Sequence, residues 1–88
     1  MKYQINVARE AGKVLDRLGR PTERRIRQRI ILLAEDPLAA RLSAPLTERG
    51  GLRKSRAGGW RILFVVDRAT KVIYIVTVDT RGQEYKHS

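Results

Sequence analysis

Hydrophobic residues along this chain change their spacing twice. Tyr3, Ile5 and Val7 alternate with Lys2, Gln4 and Asn6, the period of a half-buried strand. From Ala8 the period becomes helical: Ala8, Ala11, Val14 (or Leu15) and Leu18 fall on one face, and Gly19-Arg20-Pro21 ends the segment. Gly12 weakens that helix by about 1 kcal/mol relative to alanine. A second helix is predicted to start at Pro21 or Thr22. Ile26, Ile30 and Leu33 form its stripe, with Ile31 and Ala34 beside it and Arg24, Arg25, Arg27 and Arg29 on most other positions. Asp36-Pro37 stops it, because a residue before proline is pushed out of the helical region. Two antiparallel helices joined by a short turn would have apolar stripes that need a sheet to cover.

Residues 37–51 show little periodicity and hold Pro45 and Gly50-Gly51, so a surface connection is expected, tacked down by Leu38, Leu42 and Leu46. Three strands follow, at about 52–56, 60–67 and 72–79, with turns at Gly58-Gly59 and at Asp67-Arg68-Ala69-Thr70-Lys71. The second and third are apolar on both parities, which marks central strands shielded at least partly on both faces. The expected fold is α+β: an N-terminal strand, a two-helix hairpin and a three-stranded antiparallel meander, with the helices on one face of a small sheet. No repeat or linker interrupts the pattern, and 88 residues suit a single domain over 1–88.

Charge changes the picture more than composition does. The chain has 19 Lys and Arg against 9 Asp and Glu, a formal net charge of +10, and 14 of the 19 cations are Arg. Arginine presents a planar fork to phosphate or carboxylate, so the expected partners are a nucleic acid or an acidic protein segment. There is no cysteine, which removes disulfides and thiolate metal sites and fits a reducing compartment. The N-terminus lacks a signal-peptide pattern, and the longest apolar runs (30–34, 62–66 and 72–76) are far too short to span a bilayer. A cytoplasmic protein with no membrane partner is expected.

Most catalytic kits are missing. His87 is the only histidine and lies one residue from the C-terminus, the carboxylates are scattered, and the glycine pairs read as turns. Neither a metal nor a cofactor is expected. What stands out is a cation cluster. Lys54 and Arg56 share one strand face, and Arg61 opens the next strand just past Gly58-Gly59, so antiparallel pairing would bring three cations within reach of one phosphate. With Arg81 and Tyr85 they form a set suited to RNA cleavage. RNA supplies its own 2′-hydroxyl nucleophile, and the protein must move two protons and stabilise charge on phosphorus. The same residues also fit an ordinary basic surface. Arg61 has Asp67 or Asp79 as alternative partners, Arg81 has Glu84, Tyr85 can pack the tail on the sheet, and Trp60 suits packing better than base stacking.

The order of these pieces resembles type II toxins of the RelE/ParE superfamily over nearly the full length. The resemblance rests on the early strand leading to Ala8, Ala11 and Leu18, and on the helix closing in Leu-Ala-Glu-Asp-Pro (33–37). It rests also on the hairpin LRKSRAGGWR (52–61) and on the closing VTVDTRGQEY (76–85). In the RelE branch it implies a ribosome-dependent endoribonuclease that cuts mRNA in the decoding site. It also implies an acidic, partly disordered antitoxin forming a hetero-oligomeric complex. Lys54, Arg61, Arg81 and Tyr85 fall on the positions that RelE-like nucleases use. Arg56 takes the basic hairpin position, and Arg53 and Trp60 join it as expected RNA contacts. One departure is Leu52, where some members carry a second basic residue, with Arg53 pointing the opposite way. The ParE branch, which poisons DNA gyrase, shares the fold but generally lacks the full nuclease set; Arg61, Arg81 and Tyr85 together favour the nuclease. A non-enzymatic nucleic-acid binder is the third reading.

Overall fold

The N-terminal alternation becomes an edge strand, β1 (Gln4–Val7), and the helical periods become α1 (Arg9–Arg17) and α2 (Arg20–Glu35). A computed structural model describes residues 2–46 and 51–80. After α2 come β2 (Ala44–Pro45), β3 (Leu52–Ala57), β4 (Trp60–Asp67) and β5 (Val72–Asp79). They form one five-stranded sheet in the order β1-β5-β4-β3-β2. The expected meander is present as β3, β4 and β5, antiparallel throughout. β1 runs parallel to β5, with Gln4 opposite Val72 and Val7 opposite Ile75. Two helices and three further strands separate them along the chain, as a parallel pairing requires a long crossover.

The helices supply one side of the core. Ala11 and Leu15 of α1 and Ile26, Ile30, Leu33 and Ala34 of α2 are buried against Ala57, Ile62, Phe64, Ile73, Ile75 and Val78 of the sheet. Each such large side chain contributes about 1.5–3 kcal/mol of burial free energy. Ile75 and Val78 lie three residues apart yet both face inward, because the β4–β5 register shifts between Leu63 and Phe64 and skips Val76; a bulge restores the parity. The tie between layers is partly backbone, since Tyr3 N–H donates to the Ala34 carbonyl at 2.7 Å.

Two expectations change. The 37–51 segment is more than a surface connection: Ala44 and Pro45 pair with Lys54 and Arg53 as a short outer strand, where proline's missing donor does no harm. Leu42 is buried there and Leu38 is exposed. Ile31 does not join the α2 stripe. It is 51% exposed, on the side of the helix shared with Arg24, Arg27 and Gln28, so the buried face is narrower than the apolar count suggests. Among the described residues no helix is long and apolar enough to cross a membrane.

Candidate functional site on the open face of the sheet

Strand parity sorts the hairpin into two faces, because successive side chains of a strand point to opposite sides. Ala57 pairs with Trp60, so the connection is the two residues Gly58-Gly59. Gly58 takes φ +64° while Gly59 does not take a positive φ, the pattern of a turn with glycine at its first central position. This turn fixes the register: Ser55 opposite Ile62 on the helix-covered side, and Arg56 opposite Arg61 and Lys54 opposite Leu63 on the other. Lys54, Arg56 and Arg61 therefore share the side of the sheet away from the helices, as the sequence pattern implied.

Arg61 is not a free cation on that face. It lies opposite Asp79 of β5, donating from Nε to Oδ1 at 3.1 Å and from Nη2 to Oδ2 at 3.4 Å. The row across three strands is thus Arg56, Arg61, Asp79. Like charges directly opposite each other in a sheet repel, and the carboxylate offsets that repulsion. The Arg61 side chain is 9% exposed and that of Asp79 25%, so the guanidinium is held in one orientation with Nη1 outside the pairing. Such a group is a fixed donor whose net charge is largely neutralised. Of the two alternative partners read from sequence, Asp79 is the one engaged; Asp67 instead accepts the Ala69 and Thr70 amides of the β4–β5 turn at 3.1 and 3.2 Å. Those bonds hold the Asp67 carboxyl below its ordinary value, the Thr70 amide contributing most.

The remaining expected residues separate. Lys54 and Arg56 line an open cleft beside β3. Arg53 points to the other side, where Nε donates to Ser43 Oγ at 3.0 Å and Nη2 to the Ser43 carbonyl at 3.4 Å. It ties the preceding loop to β3, a structural task in the free chain. Trp60 is half-buried and packed on the core cluster. Arg81 and Tyr85, and with them His87, lie outside the described residues. No group of three or more potential metal-ligating side chains occurs among the described residues. The sequence reading missed how Ser43 and Ser55 anchor the loop: Ser43 Oγ donates to the Pro37 carbonyl at 2.7 Å and Ser55 Oγ to the Leu42 carbonyl at 2.6 Å. Nothing in the strand alternation marked Ser55, which shares its face of β3 with Arg53 and Ala57.

Three comparisons bear on this arrangement. The model of the ParE toxin of the type II toxin–antitoxin system parDE matches residues 5–85. No curated protein matches the sequence. Among solved structures, a chain of the toxin–antitoxin complex RelBE2 from Mycobacterium tuberculosis superposes with TM-score 0.77 at 23% identity, over 90% of this chain and 98% of that one. A chain of the archaeal RelE–RelB complex from Pyrococcus horikoshii gives 0.77 at 24% identity over 94% and 99%. The isolated RelE toxin of E. coli gives 0.75 at 16% identity over 96% of each chain. At these identities the structures establish the fold, whereas the family match extends over nearly the whole sequence. The chain belongs to the ParE toxin family of type II toxin–antitoxin systems, within the RelE/ParE superfamily.

Proposed function

We propose that this toxin inhibits translation as a ribosome-dependent, metal-independent endoribonuclease that cuts mRNA. The observation that carries the reading is the shared placement of Lys54, Arg56 and Arg61 on the side of the sheet away from the helices, with Arg61 held by Asp79. In the reaction the 2′-hydroxyl gives its proton to a base and its oxygen attacks the neighbouring phosphorus. The bond from phosphorus to the 5′ oxygen then breaks, and that oxygen takes a proton, leaving a 2′,3′-cyclic phosphate and a 5′-hydroxyl. Arg61 is assigned to the nonbridging oxygens through Nη1, where a donor oriented beforehand stabilises the added charge without reorganising. Lys54 neutralises the phosphate, and the resemblance assigns Arg81 and Tyr85 to charge stabilisation and proton transfer. Arg56 is assigned to the RNA backbone.

The partner reading follows from charge. Solved relatives include RelE–RelB complexes, and a chain of net charge +10 is matched by an acidic antitoxin in a hetero-oligomeric, cytoplasmic complex, with residues 1–88 acting as one toxin domain. Single-turnover cleavage on saturated, programmed ribosomes tests the assignment. Losing one fixed donor at Arg61→Ala lowers the rate by about a hundred- to a thousandfold. Tyr85→Phe separates proton transfer (a large loss) from stacking (a small one). Near wild-type cleavage by a folded Arg61→Ala protein removes Arg61 from the site.

A gyrase-poisoning toxin is the second reading. It is favoured by the family match to ParE and by the commitment of Arg61 to Asp79, which an ordinary structural pair also explains. Trapped gyrase–DNA cleavage complexes in cells whose mRNA stays intact would select it.

A further inference from the structure

Beside β3 the sheet is incomplete. β2 covers only Arg53 and Lys54, so from Ser55 to Ala57 no strand among the described residues lies on that edge. A cleft of about 280 Å³ opens there between α2, the 40–44 loop and β3. Four cations from three separate elements line it: Arg29 of α2, Arg41 of the loop, and Lys54 and Arg56 of β3. No carboxylate does. Its neutral wall is already satisfied, since the Ser43 and Ser55 hydroxyls are committed to the Pro37 and Leu42 carbonyls.

Some cations elsewhere have tasks within the chain. Arg27 pairs with Glu23 at 2.8 Å, Arg61 with Asp79, Lys2 with Glu35 at 3.6 Å, and Arg53 clasps Ser43. Arg29, Arg41, Lys54 and Arg56 make no hydrogen bond or ion pair among the described residues. Charge on an uncovered strand edge discourages edge-to-edge association, which accounts for Lys54 and Arg56. It does not account for a helix arginine and a loop arginine converging on the same cleft. Gathering like charges there is unfavourable until an anion enters.

We propose that this cleft is a phosphate-binding subsite for the RNA backbone, with Arg29 and Arg41 as RNA-binding residues in addition to Lys54 and Arg56. The inference rests on the nuclease reading in its choice of RNA. Lys54 and Arg56 belong both to the cleft and to the open face, so a strand whose scissile phosphate lies near Arg61 has its neighbouring phosphates led round the β3 edge between two guanidinium forks. Forks of that geometry suit phosphate oxygens.

The test uses a 2′-O-methyl RNA 12-mer, which binds but is not cut, with affinity measured against salt concentration. Each phosphate contact on a single strand contributes about 0.7 to the slope of log K against log salt. Arg29→Ala and Arg41→Ala are each expected to reduce the slope by about 0.7, and the double variant by about 1.4. Arg68→Ala, a same-charge change in the β4–β5 turn, serves as the control and leaves the slope unchanged. Thermal melts confirm folding. An unchanged slope in a folded double variant overturns the subsite, as does an equal loss in the Arg68→Ala control. An oligoglutamate peptide forms the last arm: if the double variant weakens peptide binding and spares RNA, the cleft is a protein-docking site and the proposal fails. Ribosomal cleavage is read separately. A toxin that cuts mRNA with no slope change loses the subsite alone, and one that shows the slope change without cutting keeps the subsite and loses the nuclease.

Discussion

Replacing Asp79 with asparagine isolates what the β4–β5 ion pair contributes. At about 4 Å between charge centres and an effective dielectric near 20, the gross attraction is about 4 kcal/mol. Dehydration of both groups returns much of it: exposed pairs net about 0–1 kcal/mol, whereas removing one partner of a buried pair costs about 3–5 kcal/mol. With side chains 9% and 25% exposed, the pair lies between these limits. Asp79→Asn strands a nearly buried guanidinium opposite Arg56 and is expected to cost about 2 kcal/mol. Arg61→Met keeps most of the apolar stem and removes the charge, leaving a carboxylate that is itself 25% exposed, at about 1 kcal/mol. Because the double variant has no stranded charge, its cost is expected to be about 1–1.5 kcal/mol, well short of the sum. In a domain of this size each kcal/mol moves Tm by about 4–8 °C, so urea and thermal unfolding resolve the cycle. Single effects that add to within about 0.3–0.5 kcal/mol would show that the two groups are uncoupled. The claim that Asp79 orients Arg61 would then fall.

Two further outcomes follow from the turns. Gly58→Ala is expected to destabilise the hairpin by about 1 kcal/mol or more, because φ is +64° and a side chain there is strained. The added Cβ would also lie 3.0 Å from Arg25 Nη1, a flexible tip that moves aside, so unfolding no easier than wild type would contradict the strain argument. At Asp67 the carboxyl is held below its ordinary 3.8 by the turn amides. Its contribution is therefore present above that value and lost as pH falls through the lowered one. Amide exchange at Ala69 and Thr70 should accelerate over that acidic window, and Asp67→Asn should flatten the response; protection independent of pH in the wild type would refute it.

The parts of the fold that local chemistry dictates were legible in the sequence. Gly58-Gly59 and the Asp67–Lys71 turn fix β3, β4 and β5 to within a residue of the expected limits, and Asp36-Pro37 marks the end of α2. The parallel seat of β1 against β5 was not legible, because nothing in four alternating residues names a neighbour. The Ala44–Pro45 strand escaped notice because two residues carry no period and proline argues against a strand. At the site, parity put Lys54, Arg56 and Arg61 on one face, which the register bears out. Whether Arg61 would meet Asp67 or Asp79 depended on the β4–β5 pairing, which hydrophobic pattern alone leaves open. The convergence of Arg29 and Arg41 with β3 is set by the packing of α2 and the loop, which the pattern along the chain does not show. Each looked like an ordinary surface cation along the chain.

The most direct test of the nuclease account is to map mRNA ends on ribosomes programmed with a defined message and incubated with the purified toxin. The account predicts cuts in phase with codons in the decoding site, ending in 2′,3′-cyclic phosphate and 5′-hydroxyl, with little cutting of the same RNA free in solution. Intact mRNA on ribosomes saturated with folded toxin, together with gyrase-linked DNA breaks in toxin-expressing cells, would contradict it.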